Sequence, residues 1–226
     1  MNNGFFSDRV AAGKRLASAL KDFSGKNGIV LAIPRGGVVV GYVIAKELNL
    51  PLDVIIPRKI GAPDNPELAI GAVAEDGTAI LNDNLITYIG VSREYIKEER
   101  ERQKHEIERR LKLYRQDASY PNLKCLDVIV VDDGIATGST MKAALASVKN
   151  RGAASVTVAV PVGTPSTIKE LKIIADRVVC PYTPEFFQAI GQFYTDFSQT
   201  PDEEVIKLLR ENKQNLTRKS TGTVEI

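Results

Sequence analysis

The chain has 226 residues, 43% of them hydrophobic and 26% charged, as in an ordinary globular protein with one substantial core. Thirty basic against 28 acidic residues give a net charge of +2, so no overall field indicates a nucleic acid or an anionic membrane as partner. No apolar run approaches the roughly 20 residues of a membrane span, and the N-terminus lacks the pattern of a secretory signal. Cys125 and Cys180 lie in apolar runs, so we expect buried, reduced thiols and a cytoplasmic location.

Strand-like and helix-like segments alternate along the chain, and the spacing of their apolar residues distinguishes them. Short apolar runs predict five buried strands, at residues 28–34, 52–57, 123–131, 155–162 and 176–181. Periodic segments predict helices at 5–23 with Ser7 as its cap, 38–50, 92–115, 141–152, 164–175 and after Pro201. This order predicts an α/β fold with an open, mostly parallel sheet and helices on both faces.

Two segments stand outside this alternation. Residues 58–68 are polar and proline-rich without periodicity, which predicts a mobile loop, and residues 69–81 divide at Asp76–Gly77 into a β-hairpin. The helix at 92–115 is highly charged, with alternating signs and ion-pair spacings such as Glu106–Arg110. This pattern favours a solvated helix at the surface, or between lobes or subunits, over a nucleic-acid patch. His105, the only histidine, is expected to be exposed and not catalytic.

Residues 128–140 read VIVVDDGIATGST, a buried strand followed by two aspartates and a loop of small and hydroxyl residues. Adjacent strand residues point to opposite faces, so Asp132 and Asp133 make a poor acid/base dyad. At the end of the strand, however, both carboxylates emerge at the edge where open α/β sheets bind ligands. The small residues and the following helix N-terminus suit a phosphate group, and the carboxylates suit paired sugar hydroxyls. Together they predict a ribose 5-phosphate site.

This stretch resembles the phosphoribosyl-pyrophosphate (PRPP) signature of the type I phosphoribosyltransferases. The resemblance implies that Asp132 and Asp133 hold the ribose 2′ and 3′ hydroxyls. It implies a loop around the 5-phosphate made of Ala136, Thr137, Gly138, Ser139 and Thr140. A strand-to-helix turn near the start of the family's domain binds pyrophosphate, and Arg35, Gly36 and Gly37 occupy that place here.

The resemblance also implies a flexible loop that closes over the active site, at residues 58–71, with Arg58 and Lys59 at its stem. Arg35 and Lys59 are the implied catalytic residues, because they can stabilise charge on the leaving diphosphate. Mg²⁺ is the implied cofactor. Asp132 and Asp133 are its only candidate protein contacts, through water or the ribose hydroxyls.

The resemblance sets the expected domain organisation. We expect a single phosphoribosyltransferase domain at 1–212, with a core at about 25–181 and a polar, frayed tail at 213–226. A variable hood over the acceptor is expected from 182–212 and from parts of 82–121. Five aromatic residues follow the last predicted strand, of which one or two are expected in the hood and the rest in the core: Phe186, Phe187, Phe193, Tyr194 and Phe197. Members of this family are commonly homodimers.

Ala136 limits the acceptor. It occupies the position at which 6-oxopurine enzymes of the family keep an aspartate for the purine N7 proton, so hypoxanthine or guanine chemistry by that route is not supported. The leading hypothesis is a Mg²⁺-dependent transferase that moves the phosphoribosyl group of PRPP to a nucleobase or related small acceptor. The alternatives are a regulator that senses PRPP without transferase activity, a pyrophosphokinase that makes PRPP, and a PRPP or nucleotide hydrolase.

Overall fold

A computed structural model describes residues 5–116 and 119–221, the last three of these by backbone alone. Its α-helices are α1 Arg9–Ala19, α2 Gly36–Leu48, α3 Asp83–Ile89, α4 Arg93–Arg115, α5 Ser139–Asn150, α6 Pro165–Ile174 and α7 Asp202–Thr221. Its strands are β1 Gly28–Ala32, β2 Leu52–Val54, β3 Arg58–Ala62, β4 Asn65–Val73, β5 Ala79–Leu81, β6 Asp127–Val131, β7 Ser155–Ala159 and β8 Arg177–Val179. Short 3₁₀ turns lie at Lys21–Phe23 and Ile190–Phe193.

Five strands form the main sheet in the order β2-β1-β6-β7-β8, and every neighbouring pair is parallel. The chain moves outward from β1 to β2 on one side and from β6 to β7 and β8 on the other. The strand order therefore reverses between β1 and β6, whose ends pair at Ala32 and Val131. A crevice at the carboxyl ends of two such strands is the usual ligand site of an open α/β sheet.

Both faces of the main sheet are buried, which explains the nearly continuous apolar runs of its strands. All five residues of β1 are buried. One core cluster includes Leu16 of α1 and Ile44 of α2, and a second includes Met141 of α5 and Leu171 of α6. The predicted α/β class, with an open parallel sheet between helical layers, is confirmed.

A second sheet of three antiparallel strands, β3-β4-β5, corrects the prediction for residues 58–68. These residues form β3 and the start of β4, not a structureless loop. The pairing register shifts on both sides of Gly61, so the regular two-residue alternation that marks a strand is broken there. Ile60 and Ile70 are nevertheless fully buried, and they anchor the sheet to the core. The predicted β4-β5 hairpin is confirmed, with Gly77 in the left-handed region at its turn.

Several smaller expectations are also settled. The cap of α1 is Asp8, not Ser7, because the Asp8 carboxylate accepts a hydrogen bond from the Ala11 N–H at 2.7 Å. Both cysteines are free thiols, but Cys125 is exposed and Cys180 only half-buried, so their predicted burial is wrong. The exposed His105 and the long charged helix are as predicted.

The C-terminal helix α7 runs further than expected and continues through the segment 213–221 that was predicted to fray, whereas residues 222–226 lie outside the described part. It packs beside β2, the outer strand of the main sheet. The buried Asn212 side chain accepts a hydrogen bond from the Leu52 N–H at 2.9 Å and donates one to the Leu50 carbonyl at 3.2 Å. Within the ranges described, none of the helices combines the length and apolarity of a membrane span.

Candidate active site

The loops that follow β1 and β6 lie side by side at the carboxyl edge of the sheet. The Ile33 N–H donates to the Val131 carbonyl at 2.8 Å, which extends the β1-β6 pairing by one residue. Beyond this contact the first loop passes through a cis Pro34–Arg35 peptide into α2. The second loop begins with Asp132 and Asp133. The two sequence motifs, about a hundred residues apart, therefore meet in space.

Gly36 and Gly37 lie directly against the two aspartates. A Cβ atom on Gly36 would be 1.9 Å from Asp133 Oδ2, and one on Gly37 would be 2.9 Å from Asp132 Cα. Non-bonded carbon and oxygen atoms do not approach so closely, so only glycine fits at these two positions. Close approach, and not a turn with positive φ, is the reason for the glycine pair.

Asp133 is held at three points. Its carboxylate accepts a hydrogen bond from Arg9 Nε at 2.8 Å, and its carbonyl accepts one from the Tyr194 hydroxyl at 2.6 Å. Its N–H donates to Asp132 Oδ1 at 2.8 Å. Burial, and then the nearby charge of Asp133, raise the pKa of Tyr194, so the phenol stays protonated and donates. Sequence reasoning missed both Arg9 and Tyr194 as partners of the motif.

Asp132 lies in a strongly unfavourable setting for a negative charge. Burial, and then the charge of Asp133, raise its pKa well above the ordinary value for an aspartate. A bound cation would relieve this, and carboxylate oxygen is the ligand type that Mg²⁺ prefers. The described residues contain no group of three or more His, Cys, Asp or Glu side chains placed to hold a metal. The two carboxylates alone fit a Mg²⁺ ion only as part of its ligand set.

The loop from Gly134 to Gly138 is fixed against the start of α6. The Ala136 carbonyl accepts hydrogen bonds from Thr167 Oγ1 at 2.7 Å and Thr164 Oγ1 at 3.2 Å. Gly138 has φ of 72°, and a Cβ there would be 2.6 Å from the Thr167 methyl group, so glycine is required twice over. Among the residues that the structure describes, no side chain caps the N-terminus of α5, which begins at Ser139. Its first N–H groups are therefore left for an anion.

Arg35 lies in the loop after β1, and it has a carboxylate partner at the start of α7. Its Nη1 atom is 3.7 Å from Asp202 Oδ1, and each side chain is about one-third exposed. The Tyr114 hydroxyl of α4 donates to the same Asp202 oxygen at 2.5 Å. Burial, and then this hydrogen bond, raise the pKa of Tyr114 to about 12. Asp202 thus joins the long helices α4 and α7 to the loop that carries Arg35.

Arg58 and Lys59 lie on β3. Arg58 donates to the Gln103 side chain of α4 at 2.8 Å, and burial, followed by the field of Arg110, lowers its pKa. Lys59 is exposed. Neither residue forms a hydrogen bond or ion pair with Asp132 or Asp133 in the described part of the chain. The structure therefore brings Gly36 and Gly37 to the aspartates, whereas Arg35 pairs with Asp202 and these two cations lie on β3.

Most of the aromatic residues after β8 pack inside the molecule, as expected. Phe193 and Tyr194 are buried beside Phe6 of the N-terminal segment, and Phe187 and Phe197 pack partly against this cluster. Phe186 is the exception and is 88% exposed. Because the Tyr194 hydroxyl donates to the Asp133 carbonyl, the aromatic cluster is connected to the aspartate pair by a hydrogen bond.

Comparison with known proteins gives one consistent family. The phosphoribosyl transferase domain family matches residues 8–198. Two curated proteins from different strains of Mycobacterium tuberculosis, provisionally named phosphoribosyl transferases, are each 42% identical over 204 residues. These matches cover 90% of this chain but 46% of the relatives, so the chain spans about half their length.

A solved structure with the same level of identity adds the three-dimensional comparison. The protein TT1426 from Thermus thermophilus is 42% identical and superimposes with a TM-score of 0.78. The match covers 91% of this chain and 98% of that one, so the similarity extends over nearly the whole of both chains. With the matched domain and the motif geometry, these similarities show that the chain belongs to the phosphoribosyl transferase family.

Proposed function

We propose that this protein is a Mg²⁺-dependent phosphoribosyltransferase that moves the 5-phosphoribosyl group of PRPP to a nucleobase or related small acceptor. An acceptor ring nitrogen forms a bond to C1 of the ribose, the bond from C1 to the diphosphate oxygen breaks, and pyrophosphate leaves. The observation that carries the proposal is the contact of Gly36 and Gly37 with Asp132 and Asp133 at the reversal point of the sheet. This contact brings the proposed pyrophosphate loop against the proposed ribose-binding carboxylates.

In this proposal the aspartates accept hydrogen bonds from the ribose hydroxyls, and the loop after them holds the 5-phosphate. The N–H groups at the start of α5 and the hydroxyls of Thr137, Ser139 and Thr140 are the proposed phosphate donors, with Ala136 and Gly138 shaping the loop. The hydrogen bonds from α6 to the Ala136 carbonyl support this role, because they fix the loop before a ligand arrives.

The leaving diphosphate is assigned to Arg35, Gly36 and Gly37. Arg35 would exchange its ion pair with Asp202 for a phosphate oxygen, and a guanidinium is well suited to that geometry. Lys59 and Arg58 are assigned to the same charge from β3, and reaching it requires a movement of the second sheet. Mg²⁺, held by the substrate with Asp132 and Asp133 as its protein contacts, would neutralise charge on the diphosphate.

The acceptor is proposed to be a nucleobase-like ring other than a 6-oxopurine handled through a carboxylate in the loop. Ala136 provides no carboxylate at that position, and its carbonyl is engaged by α6. The hood is assigned to the segment after β8, in which the exposed Phe186 is the aromatic residue open to stacking. A cytoplasmic location and a homodimer complete the proposal, with the free thiols supporting a reducing compartment.

The test is incubation with PRPP, Mg²⁺ and a panel of nucleobases, with pyrophosphate release as the signal. We expect release with at least one base, and its loss in the variant with Asp132→Asn and Asp133→Asn. Binding of PRPP without release for any acceptor would favour a PRPP-sensing regulator. Failure to bind PRPP at all would refute the proposed function.

A further inference from the structure

The two aspartates of the motif have unequal surroundings, and the difference comes from α1. The Asp133 carboxylate forms an ion pair with Arg9 at 2.8 Å, and these side chains are only 13% and 12% exposed. Asp132 forms no ion pair within the described residues, and its Oδ1 atom accepts a hydrogen bond from the N–H of Asp133. Among the described residues, Asp133 therefore has a direct cationic partner and Asp132 has none.

Arg9 is fixed by contacts on several sides. Its Nη1 atom donates to the Ser198 carbonyl at 2.7 Å, and its guanidinium carbon lies 4.0 Å from the centre of the Phe197 ring. A Cβ atom on Gly36 would be 2.6 Å from Arg9 Nε, so the absence of a side chain at Gly36 also makes room for this arginine. These contacts place the guanidinium before any ligand arrives, at the junction of α1, the Arg35 loop and the segment before α7.

We propose that Arg9 is a positioning residue of the ribose site, which neutralises and holds Asp133 and leaves Asp132 as the carboxylate without a cationic partner, which the bound cation then supplies. This inference rests on the proposed function and deepens it. It gives the two carboxylates different requirements: Arg9 fixes Asp133 before a ligand arrives, whereas Asp132 depends on the cation. It also makes α1, which precedes the first strand of the domain, a part of the active site.

Electrostatics give the reason for such a division. PRPP carries several negative charges, and two uncompensated carboxylates beside it would repel the diphosphate as well as each other. Arg9 removes one of these charges and adds a fixed donor, with little reorganisation when the ligand binds. The ion pair uses Oδ2 of Asp133, so Oδ1 can still accept from a hydroxyl, but a neutralised carboxylate attracts a cation less than Asp132 does.

Binding measurements on single variants test this division. By calorimetry with Mg²⁺ present, we expect Arg9→Gln to weaken PRPP binding about tenfold, the usual effect of losing one charged hydrogen bond. Arg9→Lys keeps the charge but loses the guanidinium contacts with Ser198 and Phe197, so it should bind PRPP more weakly than wild type but more tightly than Arg9→Gln. Asp132→Asn should weaken binding at least about tenfold more than Asp133→Asn does. Equal losses for the two aspartate variants, or for Arg9→Lys and Arg9→Gln, would overturn the inference.

Mg²⁺ titration without PRPP separates positioning from a merely structural role. Arg9→Gln leaves the charge of Asp133 free beside Asp132, so Mg²⁺ should bind several-fold more tightly while PRPP binds more weakly. A general loosening of the site would weaken both and would contradict the proposal.

A urea-denaturation cycle over Arg9→Gln and Asp133→Asn supplies a readout that needs no ligand. We expect the double variant to lose less stability than the sum of the single variants, and strict additivity would refute the pairing itself. If wild type fails to bind PRPP, the proposed function fails. The urea cycle and the Mg²⁺ titration would still decide whether Arg9 neutralises Asp133.

Discussion

Replacement of Gly36 by alanine is the sharpest single perturbation of the proposed site. The new Cβ would be 1.9 Å from Asp133 Oδ2 and 2.6 Å from Arg9 Nε. A carbon and an oxygen atom in contact are normally about 3.3 Å apart, so one partner must move by more than about 1 Å. The Arg9–Asp133 ion pair is the contact that gives way, because the backbone of Gly36 is committed to the start of α2.

The expected cost follows from the burial of that pair. An exposed pair contributes about 0–1 kcal/mol, whereas breaking a fully buried one costs about 3–5 kcal/mol. The side chains of Arg9 and Asp133 are 12% and 13% exposed, so we expect a loss of about 2 kcal/mol in the free energy of unfolding. If the displaced Asp133 carboxylate no longer fits the ribose hydroxyls, we expect PRPP binding to lose a similar free energy. A loss of about 2 kcal/mol corresponds to an affinity about 30-fold lower.

Urea denaturation and calorimetric PRPP binding measure the two effects. Gly25→Ala is the matched control: its Cβ would meet nothing within 4 Å, but its φ of 78° makes alanine costly there by about 1 kcal/mol. The control should lose stability and keep its affinity for PRPP. A Gly36→Ala protein with wild-type stability and affinity would show that the close approach of the two loops is not a feature of the protein in solution.

Three further predictions concern other parts of the molecule. Thr167→Val removes the 2.7 Å hydrogen bond to the Ala136 carbonyl and should weaken PRPP binding about tenfold, whereas Thr167→Ser should bind within about threefold of wild type. Equal binding by the valine and serine variants would refute a role for this hydroxyl. Burial raises the pKa of Glu75 from 4.5 to about 6, against the opposing charge of Arg115. The folded state then binds this proton more tightly than the unfolded chain does. The free energy of unfolding should therefore fall by about 2 kcal/mol between about pH 4 and pH 7.5, relative to Glu75→Gln. Parallel pH profiles of wild type and Glu75→Gln in urea would contradict this. Lys59→Ala should lower kcat more than it weakens PRPP binding. An equal loss in both would show that Lys59 binds PRPP in the ground state and does not act specifically in the transition state.

The fold was largely predictable because its main strands are buried on both faces. A continuous apolar run such as that of β1 needs no partner to be recognised, and its alternation with helices implies parallel connections. The second sheet was not predicted over β3, because the register shifts around Gly61 break the alternation by which a strand is recognised. Buried Ile60 and Ile70 belong to that sheet, but they carry a signal only once the pairing is known.

The active site was likewise predictable only in part. The residues of the two motifs follow strand ends, and strand order brings strand ends together, so Gly36 and Asp133 were predictable neighbours. Arg9 and Tyr194 reach Asp133 from 124 and 61 residues away, and no local pattern specifies such contacts. One signal was available: Arg9 lies in the first turn of α1, where a cation opposes the helix dipole and needs a partner elsewhere.

The position of Asn212 affects whether the edge of the main sheet can pair with a strand from another molecule. An outer strand offers free N–H and carbonyl groups to which a strand from another molecule can add, the usual beginning of aggregation. The side-chain amide of Asn212 occupies the Leu52 N–H and the Leu50 carbonyl, so a foreign strand must first displace α7. α7 thus covers this edge of the main sheet at the start of β2.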